Sequence, residues 1–198
     1  MGTAKVDTKT RRRQIAEVAL TLVANEGMRA LSVAKIARHV GIVPSAIYRH
    51  FEGKEAVLDE VIELIGDKLA ENVQVVKGES KDAVEQLYRL LMRHTQLVRE
   101  NRGIPRIVFS EDVYSGNPTR KARIYAIIGG YLDDVARIVG EGQKAGCIRK
   151  DVEPSTVAVV FLGLIQPAAV LWHLSEGQFD VTKQARKAWD IIKEAIST

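Results

Sequence analysis

The chain has 198 residues, 46% of them hydrophobic and 27% charged, with five prolines and one cysteine. That length buries a core without staples, and Cys147 alone excludes an internal disulfide framework, so a reducing, cytoplasmic setting is expected. Net charge is +4, yet residues 1–55 hold ten Lys/Arg against five Asp/Glu while the remainder is close to neutral, so the basic excess sits in the first quarter, where a polyanion would be met.

The opening segment MGTAKVDTKTRRRQ has no apolar core, so no secretory signal is expected. Ile15, Val18, Ala19, Leu22 and Val23 recur at spacings of three and four and predict a helix over about 10–25, stopped at Gly27. Ser32 is expected to cap a short helix, VAKIARHV, that ends at Gly41. A tight turn over 41–43 leads to Pro44, whose missing N–H suits the first position of a further helix over about 44–51. Two short helices joined by a glycine turn make a helix-turn-helix, with the first helix as its third wall.

A long helix follows from Lys54 to about Val76. Ser80 is expected to cap the next, which reaches Glu100. A short helix over 106–109 and a loop over 110–117 precede a long helix from Pro118 to about Lys144. The last two helices run over about 154–174 and 181–196. The fold class is therefore all-α, with about nine helices. The apolar run over 157–174 contains Gln166, Pro167 and His173 and is not expected to span a membrane.

The segment from Leu31 to Leu58 reads LSVAKIARHVGIVPSAIYRHFEGKEAVL. With Ser32 as cap, Ala37, Gly41 in the turn, the Tyr48-Arg49-His50-Phe51 run and Lys54-Glu55, it resembles the DNA-binding domain of the TetR family of bacterial transcriptional regulators. The preceding Ala24-Asn25-Glu26-Gly27 fits as well. The resemblance covers about residues 9–69 and implies a helix-turn-helix DNA-binding domain there, with the helix-turn-helix over about 32–51. It also implies a helical ligand-binding and dimerisation domain over 70–198. The partners it implies are double-stranded operator DNA carrying an inverted repeat, a second copy of the chain and a small-molecule effector.

The residues agree with that reading. A recognition helix must enter a major groove about 12 Å wide, and Val43, Pro44, Ser45 and Ala46 form a slim leading end. Val43 or Ala46 can touch thymine methyls, Ser45 can donate or accept, and Arg49 can read a guanine or clamp a phosphate. By resemblance, Tyr48, His50 and Lys54 are phosphate contacts. Ser32 and Val33 would offer backbone amides at a helix N-terminus. Arg11 and Arg12, next to Arg13, are expected to reach the adjacent backbone or minor groove. Ile47 and Phe51 are expected in the core.

Beyond residue 70 the pattern is less specific. Aromatic and apolar residues on the middle helices suggest an effector pocket, with Leu90, His94, Phe109, Tyr114, Tyr125, Ile128, Phe161 and Ile165 as candidate lining. Gly129-Gly130 inside a helix asks for close packing or room for a ligand. The helix over 154–174 is apolar all round and must be covered on more than one side. Ala168, Leu171, Trp172, Trp189 and Ile192 are therefore expected in a two-fold, four-helix dimer interface. No catalytic residue, metal site or cofactor is expected, since HExxH, GxSxG, P-loop and cysteine-pair patterns are missing. The function read is a transcriptional regulator: a repressor released by a small, largely hydrophobic effector. The alternative is a helical interaction module whose basic N-terminus binds a protein or membrane surface without reading DNA sequence.

Overall fold

Asp7 opens the first helix, its carboxylate accepting from the Thr10 amide at 3.1 Å. The computed structural model describes residues 7–114 and 117–198. In chain order the helices are α1 (Thr8–Glu26), α2 (Val33–Val40), α3 (Pro44–Ile47), α4 (Lys54–Glu79), α5 (Ala83–Glu100), α6 (Gly103–Val108), α7 (Glu111–Tyr114), α8 (Pro118–Ala145), α9 (Pro154–Gly163), α10 (Gln166–Leu174) and α11 (Val181–Ile196). Nine of these have six residues or more, and a 3-10 turn spans Met28–Ala30. Among the described residues there is no strand, only an isolated bridge between Ile148 and Ser197.

The helices divide into two compact units. Residues up to 67 group with 101–124, and residues 68–100 with 125–198. In the first unit the α1 stripe of Ile15, Ala19, Leu22 and Val23 is buried together with Ile36, Ala37, Ile47, Phe51, Val57 and Val61. The segment 101–124, although distant in sequence, is built into this unit. Gly103 packs so tightly on α1 that a Cβ there would lie 2.4 Å from the Leu20 carbonyl oxygen, which only glycine avoids. Arg106 adds a hydrogen bond to the Val23 carbonyl at 3.2 Å.

In the second unit the inward stripe of α8 runs through Tyr131, Val135, Ile138 and Gly142 at alternating spacings of four and three. Gly142 admits Ile148, whose side-chain carbon would sit 2.6 Å from a Cβ. Leu87, Leu90, Leu91, Phe161, Ile165 and Trp189 fill the rest.

Several local expectations change: α3 is regular only over Pro44–Ile47 and the short helix expected over 106–109 spans Gly103–Val108. Asp82, not Ser80, caps α5, because its carboxylate reaches the Glu85 amide at 2.7 Å while Ser80 accepts from Asp82. The expected loop over 110–117 contains a single helical turn, α7. The expected helix over 154–174 is two helices, broken around Leu164-Ile165 just before Gln166-Pro167. That stretch is long and apolar enough to cross a membrane by composition; it is broken before Gln166-Pro167, and Ala158, Phe161, Ala168 and Trp172 are buried.

Candidate nucleic-acid interface

The helix-turn-helix is set by its caps. Ser32 has extended backbone and its hydroxyl accepts from the Lys35 amide at 3.3 Å, opening α2. Gly41 takes a left-handed conformation (φ 77°), and its amide and that of Ile42 close on the end of α2. Pro44 starts α3, which is regular only to Ile47. The chain then tightens: His50 and Phe51 amides both bond to the Ile47 carbonyl, at 2.9 and 3.0 Å.

This geometry buries Ile47 and Phe51 and turns their neighbours outward. Val43 is 63% exposed and Tyr48 60% exposed. Pro44, Ser45, Arg49 and Lys54 are also exposed, and Ser32, Val33 and Ala46 are half-buried. Val43 and Tyr48 are thus largely in solvent, on a segment that also exposes Arg49 and Lys54. They suit a surface that meets methyl groups, base edges and phosphates.

Arg12 departs from the expectation. Its Nη1 donates to the His50 carbonyl at 2.6 Å, its Nε donates to Glu60 at 3.1 Å, and its guanidinium lies 4.2 Å from the centre of the Phe51 ring. It is a clamp joining α1, the end of the recognition segment and α4, because a partly buried guanidinium satisfies its fork on a carboxylate and a carbonyl rather than reaching out. Arg13 pairs with Glu17. Arg11 is half-buried and lines a cleft of about 450 Å³ with Gln14, Glu17, Val18, Thr21, His39 and Val40. His50 is half-buried; its carbonyl is taken by Arg12 and its Nδ1 is buried without a partner among the described residues.

Residues 15–61 match the model of the bacterial regulatory proteins of the tetR family, and residues 58–195 match the C-terminal region of YsiA-like proteins. The chain belongs to the TetR family. It is a DNA-binding transcriptional regulator, and the exposed set from Val43 to Lys54 is its candidate reading surface. The fatty acid metabolism regulator protein of Bacillus subtilis (strain 168) is 23% identical over 186 residues, covering 92% of this chain and 94% of that one. The nucleoid occlusion factor SlmA of Shewanella pealeana is 22% identical over 186 residues, covering 94% of each chain. The structure of Bacillus subtilis FadR in complex with stearoyl-CoA superposes with a TM-score of 0.77 at 21% identity, covering 93% of this chain and 98% of that one. A transcriptional regulator from Saccharomonospora viridis in complex with choline superposes with a TM-score of 0.83 at 22% identity, covering 96% and 99%. At such identities the superpositions establish the shared fold.

The candidate effector residues of this TetR-family chain are divided between the two units. Leu90, Phe161 and Ile165 are buried in the second unit and Ile128 is half-buried there. Tyr125 is 80% exposed, because it sits one place off the inward stripe of α8. Phe109 is 49% exposed and belongs to the first unit. The side chain of Tyr114 lies outside the described residues. His94 is the buried polar candidate, its Nδ1 3.0 Å from the Tyr131 hydroxyl and its ring edge-on to the tyrosine ring. Burial pushes the His94 pKa down to about 4. Burial, and then the charge of Asp134, push the Tyr131 pKa up. The imidazole is therefore neutral at ordinary pH. Periodicity alone places Tyr131 inward, but nothing in the sequence marks it as the partner of His94.

The candidate dimer residues also separate. Ala168 and Trp172 pack with Val181 and Phe179 inside the chain's own core, and Trp189 is buried at 5.7 Å from the Tyr88 ring. Ile192 is half-buried and Leu171 exposed. The apolar side chains that α9 and α10 leave in solvent are Val159, Val160, Val170, Leu171 and Leu174, with Ile191 exposed on α11. Trp172 and Leu171 are neighbours on a helix apolar all round, so only the packing decides which of them turns outward.

Proposed function

We propose that the chain is a cytoplasmic repressor that binds an inverted-repeat operator as a homodimer and is released by a small, largely apolar effector. The observation that carries the reading is the exposed run of Val43, Ser45, Tyr48, Arg49 and Lys54 on a capped helix-turn-helix. The dimer reading is supported by the exposed valines and leucines of α9 and α10, apolar side chains that a partner helix would cover. The effector reading leans on the buried His94–Tyr131 pair in an apolar helical unit, and on a relative solved with stearoyl-CoA.

Release requires that the effector bind the DNA-incompetent state more tightly than the DNA-bound one. Two half-sites lie about 34–36 Å apart on one face of the duplex, so a shift of a few ångströms between recognition helices breaks the register. Selection from a randomised duplex library tests the DNA claim. An enriched inverted repeat, bound with steep salt dependence, supports the reading. Absence of enrichment together with salt-insensitive binding would transfer support to the interaction-module alternative. Leu171→Glu is expected to give monomers by sedimentation and to abolish cooperative binding; a dimeric Leu171→Glu protein would remove α10 from the interface. Long-chain acyl-CoA thioesters, titrated against the selected duplex complex, are the first effector probes.

A further inference from the structure

Arg120, in the first turn of α8, has a side chain only 2% exposed. Its Nε lies 2.8 Å from Asp59 Oδ1 and its Nη2 3.0 Å from Glu55 Oε2. One turn further along, Arg123 Nε lies 2.9 Å from Glu63 Oε1. Residues 55, 59 and 63 are successive turns of one face of α4, so two arginines of α8 meet a row of three carboxylates. Asn117 fixes the approach by accepting from the Thr119 and Arg120 amides at 3.0 and 3.2 Å.

The row ends at the DNA-reading surface. Glu55 directly follows Lys54, and the two side chains are 3.7 Å apart. Glu60, which directly follows Asp59 on α4, is held by Arg12, which also grips the His50 carbonyl. The opening turns of α4 are thus held by one arginine from α1 and another from α8. A guanidinium so far removed from water is costly to leave unpaired, so it holds the half-buried Asp59 and also engages the more exposed Glu55.

We propose that Arg120 is a positioning residue for operator recognition: by holding Asp59 and Glu55 it sets the first turn of α4, and with it Lys54 and the end of the recognition segment, without touching DNA. The proposal rests on the reading of Val43–Lys54 as the DNA surface. Sequence-specific binding depends on the register of side chains with base edges and phosphates, whereas non-specific binding depends on charge. Loss of a positioning residue therefore separates the two.

The test uses full-length Arg120→Gln, Arg120→Lys and the double variant Arg120→Gln/Glu55→Gln, which keeps the parent's net charge. Each is titrated with a duplex selected from a random library and with a scrambled duplex, over a range of salt. Arg120→Gln is expected to bind the selected duplex about tenfold more weakly and the scrambled duplex within about twofold of the parent, with the salt slope unchanged. Arg120→Lys should regain part of the loss, since one ammonium serves one carboxylate, and the double variant should not regain it. Parent-like discrimination in folded Arg120→Gln, or full recovery in the double variant, would overturn the proposal. Should Arg120→Gln not fold, Asp59→Asn takes its place, and unchanged discrimination there overturns it equally. Should the parent itself not discriminate, the DNA reading fails separately, and hydrogen exchange decides Arg120: amides 55–60 exchanging no faster in the variant sink its positioning role.

Discussion

Acidification from pH 7 to pH 5 isolates the contribution of one buried imidazole. His94 is 9% exposed, lies against the Tyr131 hydroxyl, and has a pKa held down to about 4 by burial. Unfolding returns it to its ordinary value of 6.5. Between about pH 6.5 and pH 4 the unfolded chain therefore binds more protons at this site than the folded chain. Stability is full above that window and is lost as pH falls through it. From the two pKa values, the loss between pH 7 and pH 5 is about 2 kcal/mol. Urea unfolding of the parent and of His94→Gln, at both pH values and one protomer concentration, measures it. Groups common to both proteins cancel in the comparison. The parent should lose about 2 kcal/mol more than the variant on acidification. Equal losses would refute the assignment of a neutral, desolvated His94.

Other predictions concern backbone and clamp residues. At Gly129 and Gly130 a Cβ would meet nothing within 4 Å, so Gly129→Ala and Gly130→Ala should each stabilise the fold by about 1 kcal/mol, read as a rise in Tm. Gly103→Ala must push against the Leu20 carbonyl and should destabilise by about 1–3 kcal/mol in the same assay. Arg12→Met should lower stability by about 2 kcal/mol while leaving the salt slope of DNA binding unchanged, since its partners are His50, Phe51 and Glu60. Lys54→Met should do the reverse, leaving stability nearly unaltered and reducing the slope by about one.

The local geometry of the candidate DNA-reading surface is largely legible in the sequence because it is set by neighbouring residues. Ser32, Gly41 and Pro44 act within a few residues of themselves, through caps and a left-handed turn, and their spacing turns Ile47 and Phe51 inward and Tyr48 and Arg49 outward. Arg12 misleads for the opposite reason. Its basic neighbours Arg11 and Arg13 mark a charged start to α1, whereas its partners lie 38 to 48 residues further along.

By itself the sequence determines the all-α class, nearly all helix positions and the family, since each rests on periodicity, caps or a contiguous motif. The tertiary structure alone decides which apolar face is turned where. It places Trp172 and Trp189 inside and leaves Val159, Val160, Leu171 and Leu174 outside, although all lie on helices with apolar residues to spare. It also alone joins Arg120 to Asp59 and His94 to Tyr131, and builds residues 101–124 into the unit that carries the helix-turn-helix. Hydrophobic pattern specifies that a side chain is covered, but the covering partner is chosen by packing between helices distant along the chain.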